Sequence, residues 1–216
     1  MVWSDEHGNR LDDYAQPSVA VDVALLTLDP ESRLAVVVHD RPGAHEHGRP
    51  GLPGTFLHVD RNETLREAAL RALRDKVNVR GHEPRQLAVF DDPGRDPRGR
   101  VLSVAHVDLV PPEAIAATSG VLVAVDELPH TLAYDHDRVV TAAVAQVRAL
   151  YRRLPDPARL AGEEFTLLEL QQVHQAVLGE RLQKDTFRRH TAPHLVETGE
   201  VRAGGVGKPA RTFRRR

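Results

Sequence analysis

The stretch from Val19 to Leu28 is dominated by Val, Ala and Leu and stops at the turn Asp29-Pro30-Glu31-Ser32. A run this short and this apolar reads as a strand buried in a sheet. After the turn, Leu34-Ala35-Val36-Val37-Val38-His39 forms a second, β-branched run, so the two are expected to pair as a hairpin. Arg41 to Gly54 holds four Gly and three Pro and reads as loop. The period then changes. Between Glu63 and Val79 the apolar residues fall at Leu65, Ala68, Ala69, Ala72, Leu73 and Val77, one face of a helix, with Asn62 expected to cap its start and Asn78 its end. Strands are expected again over Leu87-Ala88-Val89-Phe90, from Val101 to Val110 and from Val121 to Val125. A second helix spans Asp137 to Tyr151, with Val140, Ala143, Val144, Val147 and Leu150 at helical spacing. Strands with one helix between them and another closing the run indicate an α+β fold, an α/β/α sandwich.

Arg153-Leu154-Pro155-Asp156-Pro157 breaks that second helix and marks a boundary. Beyond it, Thr166 is expected to cap a helix reaching Leu178, with Leu167, Leu170, Val173, Val177 and Leu178 inward and Gly179 at its end. A short basic helix follows over Lys184-Asp185-Thr186-Phe187-Arg188-Arg189-His190. Leu195-Val196-Glu197 and Ala210-Arg211-Thr212-Phe213 then read as strands around the Gly-rich hairpin Ala203-Gly204-Gly205-Val206-Gly207-Lys208. Helix, tight turn, basic helix and two-stranded ribbon make a small winged helix-turn-helix domain. The division is residues 1–152, a linker at 153–163, and 164–216.

The net charge of −2 hides an asymmetry between these parts. Residues 181–216 carry ten Lys/Arg against three Asp/Glu, or +7, while the first 180 carry 19 against 28, or −9. A solvated basic tail and a polyanion-binding surface both account for this charge, and the winged-helix pattern favours the second. The absence of cysteine excludes disulfides, thiolate metal sites and a cysteine nucleophile. No apolar run approaches the roughly 20 residues of a membrane span. The acidic start, Met1-Val2-Trp3-Ser4-Asp5-Glu6-His7, has no apolar signal core, so a soluble, cytoplasmic protein is expected. His39, His45, His47 and His58 surround the first loop without metal-ligand spacing and read as solvated.

Leu52-Pro53-Gly54-Thr55-Phe56, then Glu63, then Arg71-Ala72-Leu73-Arg74-Asp75-Lys76-Val77-Asn78-Val79 together resemble a Nudix box. That family's pattern is G-x5-E-x7-R-E-U-x-E-E-x-G-U, with U a bulky aliphatic, and the resemblance covers most of residues 18–150. Glu63, the seven-residue gap and Arg71 match, whereas Ala72, Asp75 and Lys76 replace the three glutamates and Asn78 replaces the glycine. In Nudix enzymes those glutamates, at i, i+3 and i+4 on one helix face, hold Mg²⁺ against a pyrophosphate. Here the same positions offer one carboxylate and one ammonium. The resemblance therefore implies a site without catalytic residues, metal or cofactor, disabled for hydrolysis yet able to bind phosphate through Lys76.

Arg95-Asp96-Pro97-Arg98-Gly99-Arg100 is open to two readings, a solvated hairpin loop or a phosphate clamp. Similar segments occur in Nudix-like regulators beside an A-[FY]-D-H segment, matched here by Ala133-Tyr134-Asp135-His136. Phe165-Thr166-Leu167-Leu168-Glu169-Leu170, Thr186-Phe187-Arg188-Arg189 and Gly207-Lys208-Pro209-Ala210 resemble the winged-helix half of the same Nudix-related transcriptional regulators, over residues 162–214. That resemblance implies a DNA-binding regulator in which residues 1–152 sense a nucleotide-type effector, ADP-ribose or NAD-related, and dimerise. Candidate effector-binding residues are Arg41, Lys76, Arg95 and Arg98. Candidate DNA-binding residues are Lys184, Thr186, Arg188, Arg189, His190, Arg202, Lys208 and Arg211. Leu182 and Phe187 are expected in the small domain's core, and Arg214, Arg215 and Arg216 as a frayed tail. The partners implied are a double-stranded DNA operator, the effector and a second copy of the chain, with no membrane. The alternatives are a divergent Nudix pyrophosphohydrolase acting on ADP-ribose or another nucleotide diphosphate, and a structural interaction protein, which leaves the basic end unexplained.

Overall fold

In the computed structural model, which describes residues 4–40, 48–128, 132–202 and 209–216, the apolar run forms β1 (Ser18–Leu28). It is followed by β2 (Leu34–Asp40), the short β3 (Pro50–Gly51) and β4 (Gly54–Phe56), and helix α1 (Leu65–Val77). Strands β5 (Arg85–Phe90), β6 (Val101–Leu109) and β7 (Val121–Ala124) then lead to α2 (His136–Tyr151). β1 is the hub of the mixed sheet. It runs parallel to β6 from Ser18↔Val101 to Leu26↔Leu109, and antiparallel to β4 at one end and β2 at the other. The expected hairpin is thus present, and the loop after β2 contributes two short strands that its Gly and Pro content concealed.

Alternation along β1 makes the sandwich. Val21, Val23 and Leu25 face a cluster with Ala68, Ala72 and Leu73 of α1. Ala24 and Leu26 face the opposite cluster, with Val140, Ala143 and Val147 of α2. A strand buried on both faces needs no polar alternation, which is why β1 reads as a continuous apolar run. The start of α1 differs from expectation. Thr64, not Asn62, is the cap: Thr64 Oγ1 accepts the Glu67 N–H (3.2 Å), and the Glu67 carboxylate accepts the Thr64 N–H (2.8 Å). This reciprocal Thr-x-x-Glu box satisfies two orphan donors where Asn would satisfy one. Asn62 instead closes a 3₁₀ turn at φ 52°, and Asn78 ends α1 at φ 54° as expected.

The second unit comprises β8 (Phe165–Thr166), α3 (Leu167–Leu178), α4 (Lys184–Thr191), β9 (Leu195–Arg202) and β10 (Ala210–Arg215). Thr166 caps α3 through a second box with Glu169, and Gly179 ends it at φ 71°. β8 joins the ribbon as a third strand, Phe213 pairing with Phe165, an addition too short to register as a strand in the sequence. Phe165, Leu170, Phe187 and Leu195 form the small core, with Leu182 partly buried against it. The expected hairpin tip at 203–208 lies outside the described residues.

Residues 153–163 are a packed junction. Asp156, fully buried, accepts from Tyr151 Oη (2.8 Å), the Leu160 N–H (2.8 Å), the Ala161 N–H (2.9 Å) and Arg215 Nη1 (2.8 Å). The frayed tail expected at 214–216 is corrected accordingly. Arg215 is held by Asp156 and lies over the Phe165 ring, and the Arg216 N–H donates to His194 O (3.0 Å). A buried carboxylate demands a cation, and the chain end supplies it.

Candidate functional site

A cleft of about 220 Å³ opens where β1, β4, the end of α1 and the start of α2 meet. Its walls are Phe56, Lys76, Arg98 and Tyr134, and its floor includes Asp22 and His136. Gly54 opposes Asp22 across the sheet, and a Cβ on Gly54 would lie 2.1 Å from Asp22 Oδ1, so only glycine admits the carboxylate. Ser103 Oγ donates to Asp22 Oδ2 (2.6 Å), and His136 Nε2 lies 3.4 Å from Oδ1. The Leu52 N–H donates to His136 Nδ1 (2.9 Å), which leaves Nε2 as the nitrogen that faces Asp22. Burial opposes ionisation of Asp22, but His136, Ser103 and Arg95 more than offset it and hold the carboxyl below its usual range.

The two motifs singled out in the sequence meet here. Arg95 donates to Asp135 through Nε (3.1 Å) and Nη2 (2.6 Å), and Nη2 lies 3.5 Å from Asp22. Its side chain is 3% exposed, so Arg95 is a strut beneath the cleft, not an open effector contact. Arg98 is half-exposed and faces the opening. Its fork is held by Asp96 (Nε 2.9 Å, Nη2 2.7 Å), and its guanidinium lies 5.2 Å from the Phe56 ring and 5.1 Å from the Tyr134 ring. Lys76 reaches the same cleft from the last turn of α1. Arg41 lies outside the described residues.

The face of α1 that holds metal in Nudix enzymes has a different use here. Ala72 is 1% exposed and belongs to the core. Asp75 points to solvent and accepts from Arg74 Nε (2.7 Å). Glu63 is taken by Arg71 (2.6 and 2.8 Å) and by the His58 N–H, and the Arg71 pairing pushes its carboxyl down to about 2. Arg71 also donates to Thr55 Oγ1 (2.6 Å) and Phe56 O (2.8 Å), so this pair staples α1 to β4. Mg²⁺ needs converging oxygens. Among the described residues no three acidic or histidine side chains gather at one point, and Lys76 stands where a third ligand would. The residues present do not fit the ion. His45 and His47 lie outside the described residues, and His58 lines a separate cleft beside Arg71.

On the winged helix, Phe187 and Thr191 turn inward, leaving Lys184, Thr186, Arg188, Arg189 and His190 exposed. Lys184 and Arg188 share a groove of about 700 Å³ with Arg211, between α3, α4 and β10. Arg189 lies on the opposite side of α4 from its core face, its Nη2 donating to Thr186 Oγ1 (3.4 Å). His190 faces the first unit, with Nε2 3.2 Å from Arg152 O. Arg202 donates to Glu169 (2.8 Å) and Glu164 O (3.1 Å), and Arg211 pairs with Glu197 (3.1 Å). Lys208 lies outside the described residues.

Sequence reasoning gave no role to Asp22 in the cleft, to Ser103 beneath it or to Asp156 and His174 at the junction, and it quoted Phe56 and His136 only as parts of motifs. A lone Asp inside an apolar strand, and an Asp between two prolines with no exposed role, are the signals that could have found Asp22 and Asp156. The aromatic walls carry no such signal.

Residues 157–215 match the family model of the NrtR DNA-binding winged helix domain. The chain is 28% identical over 213 residues to an ADPR responsive transcriptional repressor, NtrR, of Acinetobacter baylyi, covering 94% of this chain and 83% of that protein. It is 30% identical over 131 residues to an ADP-ribose pyrophosphatase of Methanocaldococcus jannaschii, covering 59% of this chain and 73% of that one. The crystal structure of Shewanella oneidensis NrtR with a 27mer DNA superposes with a TM-score of 0.76 at 29% identity, over 92% of this chain and 93% of that chain. The NUDIX domain of the same protein bound to ADP ribose superposes with a TM-score of 0.56 at 25% identity, over 65% and 94%. Among the described residues, no helix is long and apolar enough to cross a membrane.

Proposed function

The chain belongs to the Nudix-related transcriptional regulators, and from that premise we propose that it is an operator-binding repressor released by ADP-ribose or a related nucleotide. The observation that carries the reading is the cleft itself. Where a hydrolase needs carboxylates to hold a metal, Lys76 and Arg98 face the opening, and two aromatic rings flank the guanidinium. Such a site binds a phosphate by charge and leaves it intact. Lys76 and Arg98 are the effector contacts, and Arg95 fixes the loop that presents Arg98. On DNA, Arg189 reads base edges from the outward side of α4, while Lys184, Arg188 and Arg211 grip phosphates. A single α4 spans only a few base pairs, so the protein acts as a homodimer on half-sites about 10 bp apart or a multiple of that.

Similarity to an ADP-ribose pyrophosphatase favours hydrolysis as a second reading, and Ala72, Asp75 and Lys76 weigh against it. One experiment addresses both. ADP-ribose titrated against a preformed complex with DNA from upstream of the protein's own gene is expected to release the DNA and to be recovered intact. Turnover with Mg²⁺ or Mn²⁺ at ordinary enzyme rates, of order 1–10³ per second, overturns the sensor reading.

A further inference from the structure

The cleft and the basic helix are joined by one element. α2 begins at His136, on the cleft floor, and ends at Tyr151, whose ring meets His174 edge-on with centroids 5.0 Å apart. His174 meets Phe187 of α4 in the same way, again at 5.0 Å. Alongside, Arg148 Nε donates to Val177 O of α3 (3.1 Å), and the Arg152 carbonyl lies 3.2 Å from His190 Nε2 of α4. The 16 residues of α2, at about 1.5 Å each, make a strut of about 24 Å. It contains neither Gly nor Pro, so nothing in it invites a bend.

The cleft end of this strut is under tension. Tyr134, two residues before α2, has φ 56°, a left-handed conformation that a bulky side chain rarely holds. Its ring packs against Arg98 and lies edge-on to His136 at 5.7 Å. At about 220 Å³ the cleft is smaller than the roughly 300–1,000 Å³ of small-molecule sites. A ligand the size of a nucleoside diphosphate derivative therefore overfills the cleft and presses on its walls, the Arg98–Tyr134 contact among them.

We infer that α2 is the lever that couples the two sites: ligand entry displaces the segment from Tyr134 to His136, and α2 carries that displacement through Tyr151 and His174 to Phe187 and the DNA-facing helix. The inference rests on the nucleotide-regulated reading above and assigns the route of its regulation. Tyr151 and His174 are positioning residues, since neither lines the cleft nor the groove on the winged helix. The lever works only because the ligand favours one setting of α2 over the other.

The test uses the full chain with Tyr151→Leu, ADP-ribose as the ligand, and operator DNA followed by fluorescence anisotropy. In the wild type, saturating ADP-ribose is expected to weaken operator binding about 5–150-fold, and saturating operator to weaken ADP-ribose binding by the same factor. In the variant each separate affinity stays within about 3-fold of wild type, while both coupling factors shrink to about 2-fold or less. A variant that binds both partners and keeps full coupling overturns the lever. His174→Gln removes both ring contacts and keeps an acceptor for the Asp156 N–H, so it serves where the Leu variant does not fold. There a reduced coupling factor supports the lever and an unchanged one overturns it. A wild-type chain that binds no ADP-ribose fails earlier, at the functional reading, and the lever falls with it.

Discussion

Around the cleft the arginines already have anions: Arg95 is on Asp135 and Asp22, Arg98 on Asp96, and Arg71 beside them on Glu63. On α4 the pattern reverses. Lys184, Arg188 and Arg189 are exposed, and among the described residues no carboxylate pairs with them. A ligand entering the cleft thus competes with a built-in acid for Arg98, so its charge is recognised together with its shape. DNA approaching α4 meets little internal competition, so charge draws it in from any sequence, and discrimination is left to whatever side chain reaches the bases. Between the two lies a junction where one buried acid, Asp156, ties both units together.

The comparison breaks most completely at that junction. Asp156→Ala removes the acceptor for four donors and leaves the mostly buried Arg215 guanidinium with only the Gly162 carbonyl and, at 3.8 Å, the exposed Glu163. Breaking one side of a buried pair costs about 3–5 kcal/mol. Urea unfolding should show that loss, together with loss of the single transition expected of two packed units. A change under about 1 kcal/mol, the scale of an exposed pair, would mean that Asp156 is solvated.

Acid attacks the same place more gently. Burial pushes the His174 imidazole down to about 4, despite the carboxylate of Asp156 beside it. The unfolded chain, with its histidine near 6.5, binds the proton more readily between those values. Stability from this group is therefore intact above pH 6.5 and falls as pH drops toward 4, by up to about 3 kcal/mol. Denaturant midpoints at pH 7 and pH 4.5 measure it. His174→Gln should flatten the difference, and an equal drop in the variant would assign the effect elsewhere.

How far the sequence reveals these regions follows from how local their physics is. The two capped helices, the hairpin and the basic helix rest on periodicity and on caps within four residues, and all are legible in the chain. Thr64 with Glu67 is as local a signal, and it prevails over Asn62 because the reciprocal box satisfies two donors. The segments at 95–100 and 133–136 are each readable by resemblance, but their meeting is not, because the Arg95–Asp135 pair depends on a separation of 40 residues that no local rule supplies. Arg95 and Arg98 look interchangeable in sequence; the fold buries one and presents the other. Asp156 reads as a turn residue between prolines: three of its donors lie within five residues, but the cation that makes its burial possible, Arg215, is 59 residues away.

On α4 and β10 the expected effects are of intermediate size and differ by position. Arg189→Ala should cost about 1–3 kcal/mol on the operator and relax sequence preference, as a lost base contact does. Lys184→Ala and Arg211→Ala should weaken operator and random DNA alike and reduce the salt slope by about one each. Binding measured on both DNAs between 50 and 200 mM salt separates the two classes. Equal losses for Arg189→Ala on operator and random DNA would return Arg189 to the phosphate class.

The smallest expected change makes the cleft resemble the helix face. Asp96 competes with a phosphate for the Arg98 fork, and its carboxylate is ionised because Arg98 outweighs the burial that opposes it. Asp96→Asn keeps an oxygen to accept the Arg98 N–H (2.9 Å) and so preserves the loop, but withdraws the negative charge. The pair is part-exposed, so the charge is worth only about 0.2–1 kcal/mol. Removing it should tighten ADP-ribose binding by up to about 5-fold, because 1.4 kcal/mol corresponds to tenfold. It should also make that binding more sensitive to salt, since Arg98 then behaves as the cations of α4 do. Calorimetry at two ionic strengths reads both. Weaker or unchanged affinity would mean that Asp96 orients Arg98 for the ligand and does not compete with it, and the contrast between the two regions would then lie in their aromatic walls, not in their internal acids.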